Sequence, residues 1–98
     1  MKMEFVFSPA KADALDYAVE DCYAAVDELF AEYGIVPSAQ GVYIGPSDQA
    51  TFDACGNVGW ALIHSDWFLD VIEEWYWYVN SDAIEDREDC LEHFSKKR

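Results

Sequence analysis

The sequence predicts a small single α+β domain, with a long acidic N-terminal helix and two C-terminal helices packed on a short antiparallel β-sheet. Three observations predict it. Leu15, Val19, Cys22, Val26, Leu29 and Tyr33 recur at spacings of four and three, the apolar stripe of an amphipathic helix. The short runs MEFVF, GVYIG and VGWALIH are rich in β-branched and aromatic residues and read as strands. After Ser65, two further stretches place apolar residues on one helical arc and acids on the other. The alternative is a mostly α chain, reached if Val58–His64 is helical and extends the second helix backwards.

In chain order, Met3–Phe7 is the first strand. Ser8 then offers an N-cap and Pro9 a first helical position, so the long helix begins there. Gly34 closes it as the residue beyond its C-terminus. Within it, Asp13, Asp16, Glu20 and Asp27 fall on one flank of the outer face, and Asp21, Glu28 and Glu32 on the other. Residues 35–40 form a connection around Pro37. Gly41–Gly45 reads as a strand, Pro46-Ser47-Asp48 as a turn, and Thr51–Cys55 fits either a strand or a helical turn capped by Ser47. Cys55-Gly56-Asn57 reads as a turn and Val58–His64 as a strand weakened by Gly59. The second helix runs from Ser65 to Asn80. Its inner arc holds Phe68, Leu69, Ile72, Trp75, Tyr76 and Val79, and its outer arc Asp66, Asp70, Glu73 and Glu74, joined by Trp77. Ser81 caps a third helix. Cys90, Leu91 and Phe94 face inward, while Asp82, Glu85, Asp86, Glu88, Asp89 and Glu92 face outward ahead of the basic tail Lys96-Lys97-Arg98.

Charge is the strongest feature of the composition. The chain carries 20 acids and 6 bases, a formal charge of −14 over 98 residues. Between Ala12 and Ser95 the only base is Arg87. With 52% apolar and 16% aromatic residues, the charge does not mean disorder. Such a body excludes direct nucleic-acid binding, which needs clustered Lys and Arg, and disfavours anionic membranes. It attracts basic surfaces instead, with strong salt dependence. The excess also works against folding: two like charges about 6 Å apart repel by roughly 0.7 kcal/mol even in water. Three well-separated cysteines without a CxxC, no signal-peptide pattern and no long apolar run point to a reduced, cytoplasmic setting in a bacterial host cell.

The sequence offers little to catalysis. Glu73 and Glu74 are adjacent and do not face one another on a helix. There is no nucleophile elbow and no phosphate-binding glycine pattern. Cys90 and His93, or Asp89 and His93, supply two metal ligands where a structural zinc takes four. The expectation is no enzyme, no metal and no cofactor.

The expected role is therefore inhibition by nucleic-acid mimicry. Carboxylates one helical turn apart, such as Asp16 and Glu20, lie roughly 6 Å apart along the axis. They approximate a phosphate row and can pair with the Lys and Arg of a nucleic-acid channel. The candidate contacts are Asp13, Asp16, Glu20 and Asp27; Asp70, Glu73, Glu74 and Trp77; and Glu85, Asp86, Glu88 and Asp89, with aromatic residues as anchors. In size and composition the chain is similar to small acidic counter-defence proteins encoded by phages. That likeness implies an anti-CRISPR protein blocking the nucleic-acid channel of an effector complex. The alternatives are an anti-restriction protein, an immunity- or antitoxin-type inhibitor of a basic nuclease, or a non-inhibitory acidic adaptor. The expected partner is a basic nucleic-acid-binding protein, and the chain itself is a monomer or small homo-oligomer whose self-association avoids the acidic faces.

Overall fold

The computed structural model describes residues 1–80 and 83–95. A five-stranded antiparallel sheet forms one layer and helices form the other, so the α+β class holds and the mostly α alternative does not. Strand β1 (Lys2–Phe7) lies in the middle. It pairs with β3 (Val42–Ile44) on one side and β4 (Ile72–Tyr78) on the other. The edges are β2 (Pro37–Ala39) and β5 (Glu88–Asp89). Both edges are short; one contains proline and the other is acidic, which discourages pairing with other chains.

Alternation in β1 sets the two faces. Met3, Phe5 and Phe7 are buried beneath the helices, whereas Lys2, Glu4 and Val6 point the other way. On the covered face lie α1 (Pro9–Ala14), α2 (Val19–Ala31), α3 (Gln49–Ile63), α4 (Phe68–Val71) and α5 (Cys90–Ser95). The ring of Phe5 is the hub of the core. Its centroid lies 5.7 Å from Tyr43, 5.8 Å from Trp75, 6.1 Å from Phe68 and 6.2 Å from Phe30. Each such pair contributes about 0.5–1.5 kcal/mol beyond its buried area. Gly41 adopts φ +77° and its carbonyl accepts the Phe5 N–H at 2.8 Å; a Cβ there would lie 2.3 Å from the Phe5 carbonyl oxygen.

The predicted long helix is two helices. Ser8 caps α1 by accepting the Lys11 N–H at 3.2 Å, with Pro9 behind it as expected. The helix then stops, because Asp16 turns into the left-handed region at φ 59°. The Tyr17 N–H reaches the Ala12 carbonyl at 2.9 Å and the Asp16 N–H reaches that of Asp13 at 3.1 Å. These two bonds make a Schellman ending in which Asp takes the position usually held by Gly. The same motif closes α2 around Gly34, where the Ile35 N–H reaches Phe30 at 3.1 Å.

Three further expectations are corrected. Residues 58–64 are not a strand, and Cys55-Gly56-Asn57 is not a turn: both fall within the single helix α3 apart from His64, its C-cap. Asp48, rather than Ser47, caps that helix and accepts the Thr51 N–H at 2.8 Å. Its buried positions Thr51, Ala54, Cys55, Val58 and Leu62 have helical spacing, which a window opening at Val58 cuts in half.

The helix expected over 65–80 is instead the short α4 followed by β4. A bulge explains the error. Phe7 pairs with Ile72 and Val6 with Glu74, so Glu73 is an extra residue in the ladder. Ile72 and Trp75 thus face the core three residues apart, a spacing that imitates a helix.

The third predicted helix begins only at Cys90; before it come a 3₁₀ turn at Ile84–Asp86 and β5. The expected placements of Ser81, Asp82, the Phe94 side chain and Lys96–Arg98 lie outside the described residues. Among the described residues no helix is long and apolar enough to cross a membrane.

Candidate protein-binding acidic surface

The break at Asp16 shapes the main acidic feature. It swings α2 away from the line of α1 and leaves a cleft of about 250 Å³ between the α1–α2 turn and the α3–α4 connection. Asp16, Asp21 and Asp66 line this cleft, and Tyr17, Cys22 and Trp67 supply apolar lining. Trp67 is half-buried, 5.8 Å from both Phe7 and Phe68, whereas Tyr17 is exposed. Ser65 fixes the connection: its hydroxyl donates to the Leu62 carbonyl at 2.6 Å and accepts the Phe68 N–H at 3.3 Å. Among the described residues, none of the three carboxylates has a Lys or Arg nitrogen within 4.0 Å. Asp13 and Asp70 are also exposed, on α1 and α4, two helices in contact with each other.

The remaining candidates are distributed differently from their helical arcs. Glu20 and Asp27 share a second cleft, between α2 and the β2–β3 hairpin. There Asp27 has a structural task, accepting a short hydrogen bond from the buried Tyr43 hydroxyl. Burial, reinforced by that bond, pushes the Tyr43 phenol far above its ordinary value. Glu73 occupies the bulge of β4, and Glu74 points to the open face of the sheet. Trp77 is not on an acidic arc: it points to the helical layer, half-buried, with its ring 5.1 Å from Phe52. Glu85 and Asp86 lie in the 3₁₀ turn. Glu88 and Asp89 form the edge strand, where Asp89 accepts the Glu92 N–H at 3.1 Å and so caps α5. The three sequence patches are therefore not three parallel rows.

Two features escaped the sequence reading. Asp66 joins Asp16 and Asp21 only through tertiary packing, across about fifty residues of chain. Trp60, assigned to a strand, stands 63% exposed on α3, stacked 4.2 Å from the His64 ring. His64 holds its Nδ1 2.8 Å from the Trp60 carbonyl oxygen. Burial pushes the Cys55 thiol up to about 11 and that of Cys90 up to about 12, so both are protonated near neutrality and poor nucleophiles. Among the described residues no three His, Cys, Asp or Glu side chains are grouped to hold a metal ion.

Comparison of the chain with protein-family models, with curated proteins and with solved structures finds no match.

Proposed function

We propose that this protein is a nucleic-acid-mimicking inhibitor that occupies the DNA- or RNA-binding groove of a larger basic protein, most concretely a CRISPR effector complex. One observation carries the reading: Asp16, Asp21 and Asp66 converge on an apolar-lined cleft with no neighbouring base among the described residues. In a protein with 20 acids, such convergence is electrostatically unfavourable until a cation arrives. An arginine from a nucleic-acid channel suits the cleft. Its guanidinium bonds carboxylates in forked geometry and stacks on aromatic faces such as Trp67 and Tyr17. Asp13 and Asp70 extend the same negative field on neighbouring helices, adding steering and salt dependence.

The test is capture by the tagged protein from bacterial lysates containing CRISPR effectors and restriction enzymes, eluted with a salt gradient. Support is one stoichiometric nucleic-acid-handling complex, held beyond about 0.3 M salt, where the Debye length is already short, and displaced by its own DNA or RNA. A smear of basic proteins leaving together at low salt overturns the reading.

A further inference from the structure

Helix α3 is the exception to the acidity of the molecule. Of its 15 residues only Asp53 is charged, whereas the 13 residues of α2 include Glu20, Asp21, Asp27 and Glu28. Its exposed positions include Phe52, Gly56, Asn57 and Trp60. Phe52 is 42% exposed, and Trp60 is steadied by the His64 ring stacked on it. Depletion of charge together with large aromatic residues marks the centre of a protein interface rather than ordinary surface.

Beside Trp60 the surface opens into a pocket of about 180 Å³ between α3 and α5, with β1 and β4 as its floor. Gly56, Gly59 and Trp60 line it from α3, Trp75 and Trp77 from β4, and Cys90 from α5. The two glycines differ in purpose. At Gly59 a Cβ would lie 3.1 Å from the Trp75 ring, so packing favours its absence. At Gly56 a Cβ would meet nothing within 4 Å. Glycine in a helix interior is less favourable than alanine, and no neighbour in the fold gains from it here. What the missing side chain does is keep the pocket mouth open.

Charge frames this apolar patch. Asp53 is exposed three residues before Gly56. Glu88 is exposed opposite Trp77 in the sheet register, which puts it on the pocket side of β5. The bases Lys2 and Arg87 are engaged on the other side of the sheet, over Tyr78 and Tyr76.

We propose that this groove takes one apolar side chain, Phe or Leu, from a basic amphipathic helix of the partner protein. The volume suits a single side chain, since a cavity of about 150 Å³ holds a benzene ring. A free small molecule of that size would leave Phe52 and Trp60 in water, whereas a helix carrying the anchor covers them. Lysines or arginines beside the anchor pair with Asp53 and Glu88. A second copy of this chain brings more acid to the same rim, with −14 behind it. The inference rests on the proposed function only for the positive charge of the partner, and it adds a contact outside the cleft of Asp16, Asp21 and Asp66.

The test is calorimetry of the full chain with three synthetic helical peptides in about 50 mM salt, where charge is only partly screened. One is a lysine/alanine peptide with a central Phe, one has Ala in place of that Phe, and one is the Phe peptide with every Lys replaced by Glu. The Phe peptide is expected to bind about tenfold or more tighter than the Ala peptide, and the Glu peptide not to bind. Trp60→Ala and Gly56→Leu are each expected to erase most of the difference between the Phe and Ala peptides. Gly56→Leu does so by filling the pocket, at a helix position where leucine is the better helix former. Ile44→Ala, on the other face of the sheet, is expected to keep the difference. Circular dichroism checks folding, and if Trp60→Ala is unfolded Gly56→Leu decides. Equal binding of the Phe and Ala peptides, a difference that survives Gly56→Leu, or a Glu peptide that binds as tightly as the Lys peptide overturns the inference. So does a dimer of the free chain, seen by sedimentation velocity, that Gly56→Leu breaks, because a second copy is then the occupant. If lysate capture fails while the peptide difference holds, the nucleic-acid mimic is overturned and the groove stands.

Discussion

Replacing Asp16, Asp21 and Asp66 together by asparagine separates the cost of the acidic cleft from its use. A cleft of 250 Å³ is roughly 8 Å across if treated as a sphere, so each pair of carboxylates repels by about 0.5 kcal/mol in water. Three pairs give about 1.5 kcal/mol at very low salt. At 0.15 M the Debye length is itself about 8 Å, which reduces the sum to roughly 0.5 kcal/mol. One term opposes the gain. Asp21 lies in the first turn of α2, where its charge favours the helix dipole by about 0.5 kcal/mol. Asn at position 16 adopts the left-handed conformation as readily as Asp. The triple variant should therefore be about 1 kcal/mol more stable than the parent in 10 mM salt and nearly equal to it in 150 mM. Urea denaturation at both ionic strengths measures this, and target capture should be lost in the same variant. A variant less stable by 1 kcal/mol or more in 10 mM salt would refute the reasoning, because the carboxylates would then be holding the fold together.

Three other predictions concern the fold itself. Tyr43→Phe removes the hydrogen bond to Asp27, whose carboxylate can still be hydrated from its cleft; the expected loss is about 1.5 kcal/mol, or a fall in Tm of roughly 6–12 °C. The thiols of Cys55 and Cys90 hold their protons more tightly when folded, at about 11 and about 12 against an ordinary 9.0. Their contribution is intact below pH 9 and is lost as pH rises from there through 11 and 12, each thiol costing about 1.4 kcal/mol by pH 10. Denaturation midpoints at pH 8 and pH 10 should show that loss, and Cys55→Ala should make the decline shallower. Gly56 sits within α3, and a Cβ there would meet nothing within 4 Å, whereas at Gly59 it would lie 3.1 Å from the Trp75 ring. Thermal melts should show Gly56→Ala gaining about 1 kcal/mol in helix propensity, and Gly59→Ala gaining less or losing stability.

What the sequence revealed depended on whether the signal was local. Ser8, Pro9 and Gly34 act through their immediate neighbours, and the ends they mark are found where expected. The predicted stripe is buried at Cys22 and Val26, but the next buried position is Phe30 rather than Leu29, and Leu15 and Tyr33 at its ends are exposed; periodicity also does not register one residue with positive φ, such as Asp16. The bulge at Glu73 misled more seriously, since it gave a strand the spacing of a helix. For the candidate site, the excess of acid was visible in composition alone. Its focus was not, because Asp66 meets Asp16 and Asp21 only after α3 has folded back across the sheet.

The place of β1 has a consequence for how the molecule assembles. Its long partner β4 is separated from it by about 70 residues, with Phe5 opposite Trp75. Closing a loop of that size costs roughly 4 kcal/mol of chain entropy before the pairing is rewarded. Until Ile72–Tyr78 is available, the sheet lacks a strand beside its centre, and Phe5 lacks the indole that stacks on it. Helices α1 to α3 can flicker into being early, but they have no completed surface on which to settle. Folding should therefore be slow for a chain of this length and close to all-or-none. A nascent or truncated chain ending before β4 should be a substrate for proteases rather than a smaller version of the domain.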